Sequence, residues 1–196
     1  MNEVNIILGS QSPRRRELLA GLDIPFTAVT IDADESYPAD LTGGDIPLYI
    51  SRAKARAYTR ELAPNELLLT ADTIVWLDGQ VLGKPHSEAE AYTMLRALSG
   101  KTHQVYTGVT IRYRGEETSF VDTTDVTFRE LTDEEIHYYI NKYRPLDKAG
   151  AYGVQEYIGY IGVTTLHGSY FNVMGLPVER VYEALHAIIK SLQLES

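Results

Sequence analysis

Ten residues, Leu67-Leu68-Leu69-Thr70-Ala71-Asp72-Thr73-Ile74-Val75-Trp76, constrain the fold of this 196-residue chain more than any other segment. The run is apolar and β-rich, and Asp78-Gly79 behind it is a two-residue hairpin signal, so it reads as a buried strand. One carboxylate interrupts it. An aspartate in an apolar strand is costly unless it is paired, metal-bound or functional. Asp72 therefore caps a neighbouring turn at a strand end, or serves as metal ligand, general base or both.

Strands and helices alternate around that segment. Val4 to Leu8 is a short apolar run ending at Gly9-Ser10, a buried strand entering a turn. Ser12 then supplies an N-cap oxygen and Pro13 the first helical position, with Gly21 as the stop. Asp45 to Leu62 is expected as a second helix, from the near-helical spacing of Ile46, Ile50, Ala53, Ala57 and Tyr58. Ser87-Glu88-Ala89-Glu90 forms a capping box for a helix to about Leu98, and Thr132-Asp133-Glu134-Glu135 a second one for a helix to about Tyr143. Val105 to Tyr113 and Thr118 to Phe128 alternate apolar and polar residues around Arg114-Gly115, the pattern of two antiparallel strands. Ile158 to Leu166 reads as strand, and Pro177 opens an amphipathic C-terminal helix. The expectation is one folding unit over 1–196, α/β with a mixed sheet.

Composition removes several function classes. With 44% hydrophobic and 23% charged residues the chain is an ordinary globular domain, and its zero cysteines exclude disulfides, thiolate metal sites and a cysteine nucleophile. A net charge of −9 argues against a nucleic-acid binder that neutralises many phosphates. Met1-Asn2-Glu3-Val4-Asn5 lacks a basic region before an apolar run, and no apolar stretch approaches the ~20 residues that span a bilayer, so a cytoplasmic protein without membrane contact is expected. The basic residues are locally concentrated in Arg14-Arg15-Arg16 and in Arg52, Lys54 and Arg56, which suits a compact anion.

The turn Leu8 to Leu19 is the strongest anion candidate. A strand-to-helix turn presents backbone N–H groups and the positive end of a helix dipole, and the arginine forks beside it match phosphate oxygens. Hydrolysis of a phosphoanhydride needs a deprotonated water delivered to phosphorus and neutralisation of the leaving pyrophosphate. A carboxylate with a magnesium ion does the first, lysines and arginines the second. Asp34-Glu35 offers more oxygen ligands for a hard cation, and Lys84 in Gly83-Lys84-Pro85 offers a loop cation. The five histidines have no metal-ligand spacing and read as surface or packing residues, as do the tyrosines Tyr138, Tyr139 and Tyr143 as packing residues.

In order along the chain, these segments resemble the Maf family of nucleotide pyrophosphatases. The family's Ser-x-Ser-Pro-Arg-Arg turn stands here as Ser10-Gln11-Ser12-Pro13-Arg14-Arg15, with Glu17-Leu18-Leu19 one arginine later. Asp34-Glu35-Ser36, Ala53-Lys54-Ala55, Ala71-Asp72-Thr73, Gly83-Lys84-Pro85, Leu98 to His103 and Asp147 to Gln155 also match, while Gly9 stands where the family often has alanine or serine. The resemblance implies a mixed twisted central sheet flanked by helices, in two lobes with a cleft between, as in Maf and ITPase-like proteins. It implies cleavage between the α and β phosphates of a nucleoside triphosphate with Mg2+ or Mn2+, in a protein that is commonly a homodimer.

By the same resemblance Asp72 is the proton acceptor, and Ser10, Arg14, Arg15, Lys54 and Lys84 bind substrate phosphates. Glu35 and Asp72 serve the metal, and Arg14, Thr73 and Gln155 set base specificity. Thr73 and Gln155 match the branch acting on dTTP and UTP, whereas the 7-methyl-GTP branch has glutamine and glutamate there. A glutamine amide both donates and accepts, as the pairing edge of thymine or uracil requires, and a glutamate only accepts. The alternatives are that 7-methyl-GTP branch, or a nucleotide-binding regulator of septum formation without essential turnover. A pure binder has no need of Asp72 in an apolar strand beside phosphate ligands.

Overall fold

In the computed structural model, which describes residues 4–194, seven strands form one sheet in the order β2-β1-β3-β5-β6-β7, with β4 paired to β3. Met1 to Glu3 of the N-terminal segment lie outside the described residues. The strands are β1 (Asn5–Gly9), β2 (Phe26–Val29), β3 (Glu66–Leu77), β4 (Gln80–Leu82), β5 (Thr102–Tyr113), β6 (Glu116–Phe128) and β7 (Val163–His167). The helices are α1 (Pro13–Ala20), α2 (Asp45–Ala57), α3 (Glu88–Leu98), α4 (Asp133–Tyr143), α5 (Tyr157–Gly162), α6 (Tyr170–Met174) and α7 (Val178–Leu194). β1 is parallel to both β2 and β3, while β3 with β4 and β6 with β7 are antiparallel, which makes the sheet mixed. Spatial proximity of the residues divides the chain into two compact units. The first comprises Met1–Asp72, Thr107–Asp122 and Gly175–Ser196, and the second Thr73–Tyr106 and Thr123–Met174.

In the first unit, Ile7 on β1 and Leu68 on β3 pack with Ala55 of α2, and Val29, Ile31, Tyr58 and Leu62 close over them. That cluster explains why α2 is shorter than its hydrophobic spacing suggests. Tyr58 already has extended backbone (φ −78°, ψ 102°), and Arg112 donates from its guanidinium to the carbonyls of Ala55 and Tyr58, which satisfies the helix end. Leu62 still packs against the core, but from the irregular segment beyond the helix. Gly108 of β5 passes so close to the start of α2 that a β-carbon there would lie 2.3 Å from the Pro47 carbonyl oxygen.

In the second unit the turn chemistry follows the sequence. Asp78 and Gly79 have φ of 50° and 81° in the β3–β4 hairpin, the two left-handed positions that an Asp-Gly turn supplies. Thr132 caps α4 with the full reciprocal box, its side chain taking the Glu135 N–H and Glu135 taking the Thr132 N–H. At α3 only half the box forms. Ser87 accepts from the Glu90 N–H, but Glu90 reaches back one residue further, to the His86 N–H at 2.7 Å.

The expected strand over Ile158 to Leu166 is half helix. α5 occupies Tyr157–Gly162, and β7 begins only at Val163. The glycines drive the difference: a β-carbon on Gly159 would sit 1.9 Å from the Val154 carbonyl oxygen, and one on Gly162 would meet the Phe128 ring at 2.7 Å. Apolar periodicity registered the isoleucines and missed these close approaches.

The Thr132 box gives a direct stability test. Thr132→Ala should cost about 1 kcal/mol of unfolding free energy, read as a lower urea midpoint at unchanged slope.

Candidate functional site

Asp72 owes its place to the registration of α2 against β3. Thr70, two residues earlier on the same strand face, donates from its hydroxyl to the Ser51 carbonyl at 2.8 Å, and both residues are fully buried. The Ser51 hydroxyl in turn shares a 2.8 Å hydrogen bond with Thr110 of β5. Residues i and i+2 share a strand face, and residues i and i+3 share a helix face. The seat made by Thr70 and Ser51 therefore brings Lys54 over Asp72.

The Lys54 ammonium donates to Asp72 Oδ1 at 2.8 Å and pairs with Glu35 Oε1 at 2.9 Å. Lys54 and Asp72 are nearly buried, whereas Glu35 is exposed on the loop after β2. Arg15 belongs to the same electrostatic group. Burial pushes its guanidinium below the usual arginine range, Asp72 pulls it back up, neighbouring Arg14 lowers it and Glu35 raises it. It stays charged, and its Nε donates to the Gly175 carbonyl at 2.7 Å.

The turn before α1 is more self-satisfied than the sequence suggests. Buried Ser10 accepts the Ser12 N–H at 3.2 Å, and Ser12 accepts the Arg15 N–H at 3.4 Å, so two of the backbone donors expected for an anion are already taken. Arg16 turns its guanidinium to the Ser10 carbonyl. The second basic cluster also splits: Arg52 and Arg56 pair with Glu117 at 3.7 and 3.9 Å, leaving Lys54 as the member of that group beside Asp72.

The donor chemistry around Lys54 fits a hard divalent cation. Glu35 and Asp72 each bring a carboxylate oxygen to one point of positive charge, and Mg2+ is held by one or two carboxylates together with substrate phosphates and water. Among the described residues, no group of three or more histidine, cysteine, aspartate or glutamate side chains is arranged to hold an ion by itself.

Three expected site residues lie in the second unit. Thr73 is half-buried on β3, next in sequence to Asp72. Lys84 is exposed on the loop between β4 and α3, whose Gly83 carbonyl accepts the Gly150 N–H at 3.0 Å while Pro85 is buried. Gln155 follows on the segment that includes Gly150, and its amide oxygen Oε1 is buried without a hydrogen-bond partner among the described residues. Two matched segments are thus joined by one hydrogen bond. A third joins through His103, whose Nε2 lies 2.6 Å from the Tyr152 hydroxyl against the Phe128 ring.

The protein-family model described as Maf-like protein matches residues 5–188. The chain belongs to that family. It is 56% identical over 186 residues to a dTTP/UTP pyrophosphatase of Bacteroides thetaiotaomicron, covering 94% of this chain and 96% of that one. A Phocaeicola vulgatus protein of the same name is 57% identical with the same coverage. One from Flavobacterium psychrophilum is 47% identical over 177 residues, 90% of this chain and 91% of its own. Among the described residues, no helix is long and apolar enough to cross a membrane.

Sequence reasoning missed the residues that hold others in place: Ser51, Thr70 and Gly175. Only the Gly-Leu-Pro run ahead of α7 hinted at Gly175, whose φ of 120° suits glycine and shapes the carbonyl that meets Arg15.

His103 supplies a pH test. Burial lowers its ring from 6.5 to about 4, with Asp125 opposing more weakly. The unfolded chain therefore takes up a proton first as pH falls, so stability present above 6.5 is lost between 6.5 and 4. Wild type should lose about 3 kcal/mol more than His103→Gln over that window in denaturant titrations.

Proposed function

We propose that this chain is a nucleoside-triphosphate pyrophosphatase that cleaves dTTP and UTP, and modified pyrimidine nucleotides of the same pairing edge, into monophosphate and diphosphate. It works as one domain, in the cytoplasm and as a homodimer, without nucleic acid or membrane as partner. The observation that carries the reading is the Lys54 bridge between buried Asp72 and Glu35, with Arg15 in the same field.

Asp72 acts as proton acceptor. Its bond to Lys54 uses Oδ1, and water delivered to the α-phosphate gives up its proton to this carboxylate. Arg14, Arg15, Lys54 and Lys84 hold the phosphate chain and spread the charge that builds on the leaving diphosphate, and Ser10 shapes the turn that presents Arg14 and Arg15. Glu35 and Asp72 are the residues that hold Mg2+ or Mn2+, which when bound supplies Lewis-acid polarisation of the phosphate oxygens.

Base choice falls to Arg14, Thr73 and Gln155. The unpartnered Gln155 Oε1 accepts the imide N–H of thymine or uracil, and its amide N–H2 donates to a ring carbonyl. A buried acceptor left unpaired costs about 1 to 3 kcal/mol, which is the margin that rejects a base of the wrong edge.

The decisive measurement is monophosphate and diphosphate release from dTTP, UTP, CTP, GTP, 7-methyl-GTP and ATP with Mg2+ or Mn2+. Wild type should favour dTTP and UTP, and Asp72→Asn should lower turnover roughly 100- to 10,000-fold while keeping substrate binding. A folded wild type that turns over none of them would overturn the reading. In the same assay Gln155→Glu with Thr73→Gln should shift preference from dTTP toward guanine nucleotides by about tenfold, and unchanged ratios would defeat the account of base selection.

A further inference from the structure

We infer that Glu156, acting with Tyr139 and Lys148, is a positioning residue for base readout: it pins the turn that carries Gln155. The inference rests on the proposed role of Gln155. All of its parts lie in the second unit.

Gly153 to Glu156 is a tight turn closed by the Glu156 N–H on the Gly153 carbonyl at 3.0 Å, with Gln155 at its third position. A lone turn hydrogen bond would leave a surface loop free to change shape. Here the turn is held from both sides by the side chain of its own last residue. The Tyr139 hydroxyl donates to Glu156 Oε2 at 2.5 Å and accepts the Gly153 N–H at 3.0 Å, so one buried oxygen ties the turn's first residue to its fourth. Glu156 Oε1 pairs with the Lys148 ammonium at 3.0 Å, with Lys148 also bonded to Asp147, so the clamp reaches the start of the Asp147 to Gln155 segment.

Gly153 makes the arrangement possible. A β-carbon there would meet Glu156 Cδ at 3.0 Å and Cγ at 3.2 Å, so the glutamate side chain lies across the glycine. Glu156 is the N-cap of α5 yet gives no side-chain cap to that helix, its carboxylate being turned to Lys148 and Tyr139 instead. Burial and the Glu156 carboxylate push the Tyr139 hydroxyl well above its usual range, so it remains a donor throughout neutral pH. A network whose every member is satisfied fixes one conformation, and here that conformation holds an amide oxygen buried and unpaired. Readout by Gln155 needs such fixing, because discrimination by a hydrogen-bonding edge is lost when the reader can turn to suit another base.

The test compares wild type, Glu156→Gln and Tyr139→Phe in the intact protein. It reads kcat and KM for dTTP and GTP, and inhibition by inorganic tripolyphosphate, which has no base. The expected result is a dTTP-over-GTP preference lowered about tenfold, carried by a higher KM for dTTP, with tripolyphosphate inhibition unchanged. Retained preference in both variants would overturn the inference, and so would tripolyphosphate inhibition weakened in proportion to dTTP. Tyr139→Phe keeps the buried ring and carries the test if Glu156→Gln does not fold. Wild type without any dTTP preference would instead defeat the underlying reading of Gln155.

Discussion

The first unit is organised around a buried ammonium held between two carboxylates. Lys54 on α2 is close to Asp72 on β3 only because Thr70 and Ser51, both fully buried, fix the helix on the strand. Removing one partner from a buried pair leaves an uncompensated charge, so such a pair is weak as a source of net stability and strict as a constraint on geometry. The pair shows how a chain of net charge −9 can still offer positive charge to a polyanion: Lys54 is nearly buried and held in place, while Arg52 and Arg56 are occupied by Glu117.

Local patterns carried most of the fold. The Pro13 start, the Asp78-Gly79 hairpin, the Thr132 box and the strand around Asp72 each depend on neighbours in sequence, and each appears where expected. Two departures share one physical cause. α2 stops at Ala57 because a distant arginine satisfies its last carbonyls, and Ile158 to Gly162 is helical because two glycines meet backbone and ring atoms from elsewhere. Single-sequence periodicity reports which residues are apolar and carries no information on which atoms approach them.

The candidate site divides in the same way. Residues proposed to touch substrate were legible as candidates because their chemistry is unusual for their setting, as with Asp72 in an apolar strand. The residues that aim them were not. Ser51, Thr70, Gly175, Tyr139 and Glu156 are ordinary in composition, and their roles arise from hydrogen bonds spanning 14 to 160 positions in sequence. Tyr139 illustrates this well: it packs as a core aromatic, as its helical spacing implies, and its hydroxyl also ties the turn ahead of α5.

Phosphate and base pose different problems of recognition. Phosphate is recognised by charge, which tolerates small displacements since Coulomb energy varies slowly with distance. Flexible lysine and arginine side chains anchored at their stems are adequate for that, as where the Arg15 Nε donates to the Gly175 carbonyl. A base edge is recognised by the direction of two hydrogen bonds, which weaken steeply once bent. The residue that reads it must therefore be fixed through its backbone, and around Gln155 the backbone is fixed by a four-residue turn, a glycine with room for a glutamate above it, and a tyrosine hydroxyl bonded to both ends. Under the proposed function, charge holds the phosphates and the rigidity of this turn sets the choice of base.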